Sequence, residues 1–549
     1  MINLTITASH PVEKAPKADE GKMSEKLKKR ITTTFKMHGF SLRSDACSLL
    51  VSQLMPVDEA EHDEWLEKVA EYVQKQSLVS PIVAKEHIEL AIQDCIRSGP
   101  DETETVLNVI NAFEVPRFVY NLERKKFLKI NADSVHNAAP QLFDSPLAKA
   151  NLFRDRYKLL LQRTQRHELF TPAILGTTTD DANRKFKLQP VEFLLSFSGR
   201  IAEVVVLGLL TQLREGRYYL EDPTGILQLD LSEARYHTGF HTENCFVLAE
   251  GSYEDKVFHV SGMGFPPPEP SSTSRAYFGN ANSFGGPSQV SLKMSTELSK
   301  YEQENEDAVM VFLADIWLDN IKVMEKLRVL FAGYTDFPPI AFVFMGNFLS
   351  AQQGSSHVSV LKNGFKALAQ LIVQFPELVE RSRFIFIPGP FDPPSANILP
   401  RMSLPKVITE EFQQKVPLSI FTSNPCRIQY CTQEIVVIRE DLVTKMCRNT
   451  IHFPTSGEIP DHFAKTLLCQ AHLAPLPLSV CPVYWSFDRA LYLYPLPDLV
   501  VTADQSSAFC TAYMDCQVMN PGSFPKNEFS FKVYIPSSRR VEDSQIPND

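Results

Sequence analysis

The sequence predicts an α+β protein of several domains, because three segments of the chain carry three different hydrophobic patterns. Apolar residues recur with a helical period between residues 23 and 100. The period changes to two between residues 201 and 265, which is typical of strands with one buried face. After residue 301, short continuous apolar runs alternate with amphipathic segments, as in layered α/β domains. A chain of 549 residues also exceeds the size of one core.

The composition is that of an ordinary globular chain, and its charge disfavours one class of function. Apolar residues make up 44% of the chain and charged residues 22%. The formal net charge of −10 argues against a free-standing nucleic-acid binder, which is usually basic. The ten cysteines show no C-x-x-C spacing, so no zinc ribbon or finger is predicted. Reduced thiols, no signal-peptide core and no apolar stretch of ~20 residues lead us to expect an intracellular protein without a membrane partner.

The N-terminal part of the chain is expected to form a helical domain at residues 23–100, preceded by a polar tail at residues 1–22. Leu27, Ile31 and Phe35 recur every four residues and predict the first helix. Three more helices are predicted at about Arg43–Leu54, at about Asp58–Gln76 and behind Ser80-Pro81, where serine is the N-cap and proline the first helical residue. This domain contains no catalytic constellation, so we expect an interaction role.

Residues 101–180 are interpreted as a connector with helices. A short helix is predicted at Thr105–Phe113, and a basic helix at about Pro146–His167. The cations of the basic helix could contact phosphates, but we favour a solvated face anchored by leucines. These cations are Arg154, Arg156, Lys158, Arg163, Arg166 and His167.

Residues 181–265 resemble an OB-fold, a small closed β-barrel. Val205, Leu207 and Leu209 alternate along one strand, and Asp222–Gly225 has the D-P-T-G sequence of a type I turn. The segment Leu195–Phe265 carries five Lys or Arg and ten Asp or Glu. Because this charge repels a polyanion, we expect a structural or protein-binding barrel rather than a single-strand binder.

The last domain is predicted at residues 301–549, after a proline-, serine- and glycine-rich connector at residues 266–300. Three apolar runs, Val309–Asp315, Ile340–Asn347 and Arg383–Gly389, predict buried strands that each deliver their last residues to a loop. Amphipathic helices are expected at Leu318–Phe331 and Leu361–Phe375, and later strands include a hairpin of Arg427–Tyr430 and Glu434–Ile438. These elements predict a two-sheet α/β sandwich.

The loops after these strands resemble the metal-binding motifs of calcineurin-like metallophosphoesterases, with most ligands replaced. Those enzymes carry D-x-H, G-D-x-x-D, G-N-H-[DE] and G-H-x-H. The matching positions here hold Asp315 and Trp317, Asn347 and Ser350, Phe391 and Asp392, and His472 and Ala474.

Two metal ions held about 3.5–4 Å apart need many oxygen and imidazole ligands, and only Asp315, Asp392 and His472 remain. We therefore predict no catalytic, metal or cofactor site. Trp317 and Phe391 are expected to fill a dry pocket, and a residual single-metal site is the alternative.

Five unusual stretches make the chain similar to the B-subunits of eukaryotic replicative DNA polymerases, and most of all to the epsilon branch of that family. They are FEVPRFVYN from Phe113, RHELFTP from Arg166, YLEDPTG from Tyr219, NPCRIQYCTQE from Asn424 and CPVYW from Cys481. The likeness runs from about Met23 to the C-terminus. The alpha and delta branches, which are the neighbouring choices, are disfavoured by these stretches.

The resemblance implies a non-catalytic nuclear subunit for chromosomal DNA replication. In that family the OB-fold and phosphoesterase domains hold the zinc-binding C-terminal region of the catalytic subunit. The N-terminal domain, similar to the helical subdomain of AAA+ ATPases, links the polymerase to the replicative helicase through GINS, and two histone-fold subunits complete the holoenzyme. DNA would be contacted weakly or through the complex. A residual metal-dependent phosphodiesterase and a single-strand-binding module are the alternative functions.

Overall fold

A computed structural model describes residues 17–54, 62–75, 82–97, 106–130, 140–171, 186–394 and 397–547. The chain divides into two compact units, Met1–Thr105 and Val106–Asp549. None of the helices in the described ranges combines the length and the hydropathy needed to span a bilayer.

The first unit consists of helices around their own apolar core. Its elements are α1 (Lys17–Met37), β1 (Ser41–Leu42), α2 (Ser44–Leu54), α3 (His62–Lys75), β2 (Ile82–Val83) and α4 (Lys85–Arg97). Leu27, Ile31 and Phe35 are buried in this core, as their four-residue spacing predicts. Helix α1 begins at Lys17, inside the segment expected to be a polar tail, and residues 1–16 lie outside the described residues.

The fourth helix begins later than its sequence pattern indicates. Residues Ile82–Val83 pair in parallel with β1, so α4 starts only at Lys85. The predicted cap, Ser80-Pro81, lies outside the described residues. A short sheet contact therefore takes the place of the first helical turn.

The second unit begins with a strand where a helix was predicted. Its first elements are β3 (Leu107–Asn111), β4 (Phe118–Asn121), β5 (Lys126–Lys129) and α5 (Pro146–Arg166). The predicted helix Thr105–Phe113 is wrong, because Leu107–Asn111 pairs antiparallel with Cys426–Tyr430 at a sheet edge. Helix α5 starts as predicted, with Ser145 accepting a hydrogen bond from the backbone of Ala148.

The next strands form one sheet, in which two strands that are distant in the strand order also pair with each other so that the sheet closes. The elements are α6 (Val191–Leu195), β6 (Ile201–Arg214), β7 (Arg217–Asp222), β8 (Gly225–Asp230), β9 (Arg235–Tyr236), β10 (Phe246–Glu254) and β11 (Val257–Gly264). The order is β10-β6-β7-β8-β11, and β11 also pairs with β10. The predicted turn is confirmed: the Asp222 carboxylate accepts hydrogen bonds from the backbone of Thr224, Gly225 and Val191.

The predicted connector 266–300 contains short helices and packs against the sandwich. It carries α7 (Ser271–Ala276) and the start of α8 (Thr296–Glu304). Phe278 and Phe284 are buried, and the Arg275 guanidinium donates to the Glu434 carboxylate at 3.0 Å.

Two six-stranded sheets form the sandwich. Its remaining strands are β12 (Met310–Ala314), β13 (Ala341–Met345), β14 (Arg383–Ile387), β15 (Ser419–Phe421), β16 (Cys426–Tyr430), β17 (Gln433–Arg439), β18 (Leu499–Ala503), β19 (Phe509–Tyr513), β20 (Cys516–Asn520), β21 (Ser530–Ile535) and β22 (Arg540–Gln545). The strand orders are β15-β14-β13-β12-β21-β22 and β19-β20-β18-β17-β16-β3. The three apolar runs predicted as strands are confirmed as β12, β13 and β14, which pair in parallel.

Helices cover the outer faces of both sheets, which explains the continuous apolar runs. The helices are α9 (Ile321–Gly333), α10 (His357–Ile372), α11 (Pro376–Arg381), α12 (Lys406–Lys415), α13 (Leu442–Asn449) and α14 (Ile459–Gln470). Along β12, Val311 and Leu313 pack under the outer helices, whereas Met310 and Phe312 face the second sheet. Because both faces of β12 are buried, polar alternation is absent from this strand.

The basic helix α5 attaches the barrel side of the unit to the sandwich. Arg156 binds the Asp488 carboxylate with its Nε at 2.8 Å from Oδ2, and Arg163 donates to backbone carbonyls including that of Pro266 at 3.1 Å. Arg156 and Arg163 share a helix face with buried Leu152 and are themselves buried. The expectation of a solvated face is therefore wrong for these two cations, whose partners come from distant parts of the chain.

Helix α14 makes a second attachment between barrel and sandwich. The Gln470 side chain exchanges two hydrogen bonds of 2.8 Å with the backbone of Phe246. The His462 ring and the Thr466 hydroxyl accept backbone hydrogen bonds from Gly239 and Phe240 at 2.9 and 2.8 Å. Barrel and sandwich thus share side-chain-to-backbone contacts that fix their orientation.

Candidate functional site at the strand ends

The carboxyl ends of the parallel strands bring the predicted site loops together. Ala314, Met345 and Ile387 are aligned in register across β12, β13 and β14. In the second sheet, Arg439 at the end of β17 is paired with Ala503 at the end of β18. The loops that follow these strands meet at one edge, where reactive groups of α/β folds are usually found.

Asp315 is buried at this edge, and one of its carboxylate oxygens accepts two hydrogen bonds. Its backbone lies in the left-handed region with a φ of 59°, and its N–H donates to the Met345 carbonyl at 2.9 Å. Its Oδ1 accepts hydrogen bonds from the Asn347 backbone at 3.1 Å and from the Arg439 guanidinium at 2.9 Å. A non-glycine residue adopts such a backbone at a cost, which these contacts offset.

Arg439 supplies the positive charge of the site, and its guanidinium is completely buried. Besides Asp315, it donates from Nε to the Gly346 carbonyl at 2.6 Å, and from Nη1 to Asp441 Oδ1 at 2.9 Å and the Ala503 carbonyl at 3.2 Å. Burial lowers the pKa of Arg439, but Asp315 and Asp441 outweigh this effect and raise its pKa above the usual value. The side chain is a permanent cation that joins both sheets.

Asp392 is buried at the same edge but is hydrogen-bonded by backbone groups. Its Oδ1 accepts from Phe348 N at 3.0 Å, and its Oδ2 accepts from Gly389 N at 2.7 Å. Burial raises the pKa of this carboxyl group, although both N–H donors oppose the shift. A Cβ on Gly346 would lie 2.0 Å from Asp392 Oδ2, so only glycine fits there.

Asn347 completes this connection between the loops. Its side-chain oxygen accepts a hydrogen bond from Phe391 N at 2.9 Å. The loops after β13 and β14 are therefore held together by Asn347 and Asp392, both of which the sequence motifs singled out.

Phe391 and Trp317 do not fill the interior of the site as predicted. The Phe391 side chain is 44% exposed, because the turn that buries Asp392 leaves its neighbour on the outer side. Trp317 is partly buried at the edge of the outer apolar cluster, with the Lys526 ammonium 5.8 Å from its ring centre. Ser350 is exposed, and its hydroxyl donates to Asp319 at 2.6 Å.

His472 belongs to a different network. Its Nδ1 accepts from Ala474 N at 3.0 Å, and its Nε2 lies 3.2 Å from Asp488 Oδ1, which also binds Arg156. Burial lowers the pKa of His472 to about 4, and Arg156 lowers it further, against the effect of Asp488. Ala474 is buried in the outer core of the second sheet. The structure therefore unites Asp315, Asn347 and Asp392, and gives His472 other partners.

Sequence reasoning missed the arginine, although a signal for it exists. Arg439 is the last residue of the buried strand β17, and Glu440 and Asp441 follow it directly, as Asp315 follows β12. Glu440 binds Arg401 and, at 2.8 Å, Lys445. In both sheets, charged residues at the end of a strand buried on both faces therefore indicate the position of the site.

The side chains at the strand ends offer few oxygen or nitrogen atoms that could bind a metal ion. Within the described part of the chain, no group of three or more His, Cys, Asp or Glu side chains is arranged to hold a metal. Asp315 Oδ1 and both oxygens of Asp392 already accept hydrogen bonds. The arrangement supports structural cross-linking of loops by charge and hydrogen bonding.

Three family models match successive parts of the chain. Residues 23–95 match the model described as "DNA polymerases epsilon N terminal", and residues 146–267 match "DNA polymerase epsilon subunit 2-like, OB-fold domain". Residues 310–511 match the model for the B subunit of DNA polymerase alpha/epsilon. Among solved structures, an archaeal phosphodiesterase aligns with 43% of this chain and 99% of its own at 11% identity, with a TM-score of 0.25.

Relatives match over nearly the whole length. DNA polymerase epsilon subunit 2 of Homo sapiens is 53% identical over 95% of this chain and 99% of its own. The Drosophila melanogaster subunit 2 is 47% identical over 95% and 98%. The probable subunit 2 of Caenorhabditis elegans is 34% identical over 95% of both chains. The chain therefore belongs to the family of DNA polymerase epsilon B subunits, which take part in DNA replication.

Proposed function

We propose that this chain is a non-catalytic accessory subunit of nuclear DNA polymerase epsilon. Its barrel and sandwich bind the zinc-binding C-terminal region of the catalytic subunit, and its N-terminal helices link the polymerase to the replicative helicase through GINS. The observation that carries the non-catalytic part is the buried guanidinium of Arg439 where the strand-end loops meet.

The charge balance of this edge supports a scaffold. A buried carboxylate such as Asp315 is costly unless a cation compensates it. Arg439 provides that cation within the chain, with four hydrogen bonds to both sheets. A metal ion bound by Asp315 would have to displace or repel this guanidinium. The loops can therefore keep their shape without a metal.

The surface beside α5 supports binding of a protein partner. Leu142, Phe143 and Leu147 follow one another closely and are 65%, 93% and 61% exposed. Contiguous exposed apolar side chains are a common mark of a protein interface. The surface lies next to Ser486, whose hydroxyl hydrogen-bonds Asp144. We assign this apolar surface to the catalytic subunit.

Co-expression tests this assignment. The full chain and the C-terminal region of the catalytic subunit are expected to elute as a one-to-one complex. The double change Phe143→Ser and Leu147→Ser should weaken it, whereas Phe337→Ser, at an exposed phenylalanine elsewhere, should not. Separate elution of the unmodified proteins in gentle salt would refute the proposal. Equal binding by the double variant would move the contact to another surface.

The helicase link rests on the first unit of the chain. This unit has its own apolar core and is matched by the epsilon N-terminal model. We expect the full chain to capture purified GINS and a chain lacking residues 1–105 to lose it. Equal capture by both would contradict the link. In the same proposal, two histone-fold subunits complete the holoenzyme, and DNA is contacted through the complex.

The absence of catalysis has its own test, because Asp315 and Asp392 both remain at the strand ends. Purified protein with Mn²⁺ is expected to show no turnover of nucleotide or nucleic-acid phosphodiesters above that of the Asp315→Asn variant. Turnover that disappears with Asp315→Asn would establish a residual phosphodiesterase and refute the non-catalytic assignment.

A further inference from the structure

A pocket between β4, α5 and the 3-10 helix Trp485–Leu491 shares no lining residue with the strand-end site. Its water-accessible volume is about 40 Å³ and it opens to solvent, so a few water molecules or a small anion could enter it. Aromatic side chains form much of its wall, among them Phe118, Tyr120, Tyr492 and Tyr494. Two buried arginines, Arg427 and Arg489, also line it. A mainly apolar wall with a few polar groups is typical of small-ligand sites.

Arg427 carries its charge into this pocket without a carboxylate partner among the described residues. It is 6% exposed, and its guanidinium donates to the carbonyls of Ser283 at 3.3 Å, Phe284 at 3.0 Å and Tyr492 at 3.1 Å. Its Nε finds no hydrogen-bond acceptor in the part of the chain that the structure describes. A buried N–H without an acceptor costs free energy, so the side chain has spare binding capacity.

Arg489, which lines the same pocket, has a similar set of partners. It is 8% exposed, and it donates from Nε to the Val115 carbonyl at 2.9 Å and from Nη1 to the Ser486 carbonyl. Its Nη2 also lacks an acceptor within the described ranges. Two guanidinium groups with unused donors therefore border one cavity.

Three other buried arginines of this unit have the carboxylate partner that Arg427 and Arg489 lack in the described part of the chain. Arg156, Arg401 and Arg439 each bind a buried carboxylate. The acid whose charge acts on Arg427 is Glu434, which is already paired with Arg275.

The pKa values of Arg427 and Arg489 are lowered, as expected for buried cations without a carboxylate partner. Burial lowers the pKa of Arg427 to about 10 against the effect of Glu434, and Arg489 lowers it further. Burial also lowers the pKa of Arg489 to about 10, with a further contribution from Arg117.

We propose that this pocket binds the phosphate group of a small anionic ligand between Arg427 and Arg489. Guanidinium groups match phosphate oxygens in geometry and in charge, and an anion would use the donors that the chain leaves free. Lys158 on the pocket wall adds a third cation, and the lining carboxylate of Asp155 is paired with Arg117 at 3.3 Å. The aromatic wall would accept a flat apolar part of a phosphate ester.

Titration calorimetry of the full chain with inorganic phosphate, at constant ionic strength set by chloride, tests the site. A saturable signal is expected, weakened about tenfold or more by Arg489→Met, because one charge-assisted donor is lost. Arg489→Lys, which keeps the charge, should retain part of it. Arg163→Met is the matched control, since Arg163 is also buried, binds carbonyls and lies outside the pocket lining.

Phenyl phosphate separates two sources of the same chemistry. Tighter binding than inorganic phosphate would support a site for aromatic phosphate esters, and equal binding would support a site for free phosphate. No saturable signal from the unmodified chain, or equal weakening by Arg489→Met and Arg163→Met, would overturn the proposal. These results do not depend on the catalytic subunit, so they test the pocket separately from the proposed scaffold role.

Discussion

Replacing Arg439 by methionine should destabilise the second unit of the chain and leave its fold recognisable. Methionine keeps much of the volume of the side chain but removes all four hydrogen bonds of the guanidinium. Asp441 is 27% exposed and can exchange its lost partner for water, whereas the Asp315 side chain is 3% exposed and cannot. The cost therefore arises mainly from an uncompensated carboxylate at Asp315.

The size of the effect follows from that geometry. Removing one partner of a buried ion pair costs about 3–5 kcal/mol. We take about 4 kcal/mol, because a single carboxylate loses its cation while its other donor, Asn347 N, remains. For a cooperative unit of the size of Val106–Asp549, this corresponds to a decrease in Tm of about 4 °C.

Urea denaturation and calorimetry of the full chain measure this change. Arg540→Met is the matched control, because Arg540 pairs with Glu542 on the surface, where both side chains are largely exposed, and it should leave Tm unchanged. Adding Asp315→Asn to Arg439→Met removes the uncompensated charge, so the double variant should be more stable than the sum of the two single changes allows. Additive losses, or an unchanged Tm for Arg439→Met, would refute the reasoning.

Three further changes probe other parts of the unit. His241→Phe should make the stability fall less steeply below about pH 6.5, because the buried ring, whose pKa burial lowers to about 3, stays neutral when folded while the unfolded chain takes up a proton. In urea melts, the difference in slope should grow from about 0.7 kcal/mol per pH unit at pH 6.5 to about 1.4 kcal/mol per pH unit near pH 5. Gly346→Ala should lower the free energy of unfolding by about 3 kcal/mol or more and reduce the soluble yield, because the new Cβ would lie 2.0 Å from Asp392 Oδ2. Gly333→Ala is the control and should be tolerated, because there is open space around Gly333. Arg156→Met should lower the free energy of unfolding by about 3–5 kcal/mol, because it leaves the buried Asp488 carboxylate without its cation. Arg154→Met, at an exposed arginine of the same helix, should not change it. Equal effects of the two glycine variants, or of the two arginine variants, would contradict the assigned contacts.

The strands of the first sheet could be predicted because their signal is local. Each of β12, β13 and β14 is a continuous apolar run, and burial on both faces requires such a run. The positions of Asp315 and Asp392 followed from the same reasoning, since loops after parallel strands meet at one edge.

The errors concern pairings between distant residues. Leu107–Asn111 was expected to be helical, and it is a strand because its partner, Cys426–Tyr430, lies far along the chain. Arg156 was expected to be solvated, and its partner Asp488 is 332 residues away. Local periodicity contains no information on such partners, so tertiary contacts override it.

The content of the site was missed for a similar reason. Phe391 was expected to occupy the interior because of its size, yet the turn at Asp392 leaves it 44% exposed. The interior is occupied by Arg439, which lies 124 residues from Asp315 in the sequence. Charge compensation, rather than bulk, distinguishes this edge from the expected filled pocket.

Anomalous diffraction from crystals of the full chain soaked in Mn²⁺ tests the central claim most directly. We predict well-defined density for the Arg439 guanidinium against Asp315, and no manganese peak between Asp315 and Asp392. Two manganese ions at these loops, with the Arg439 side chain displaced, would contradict the account.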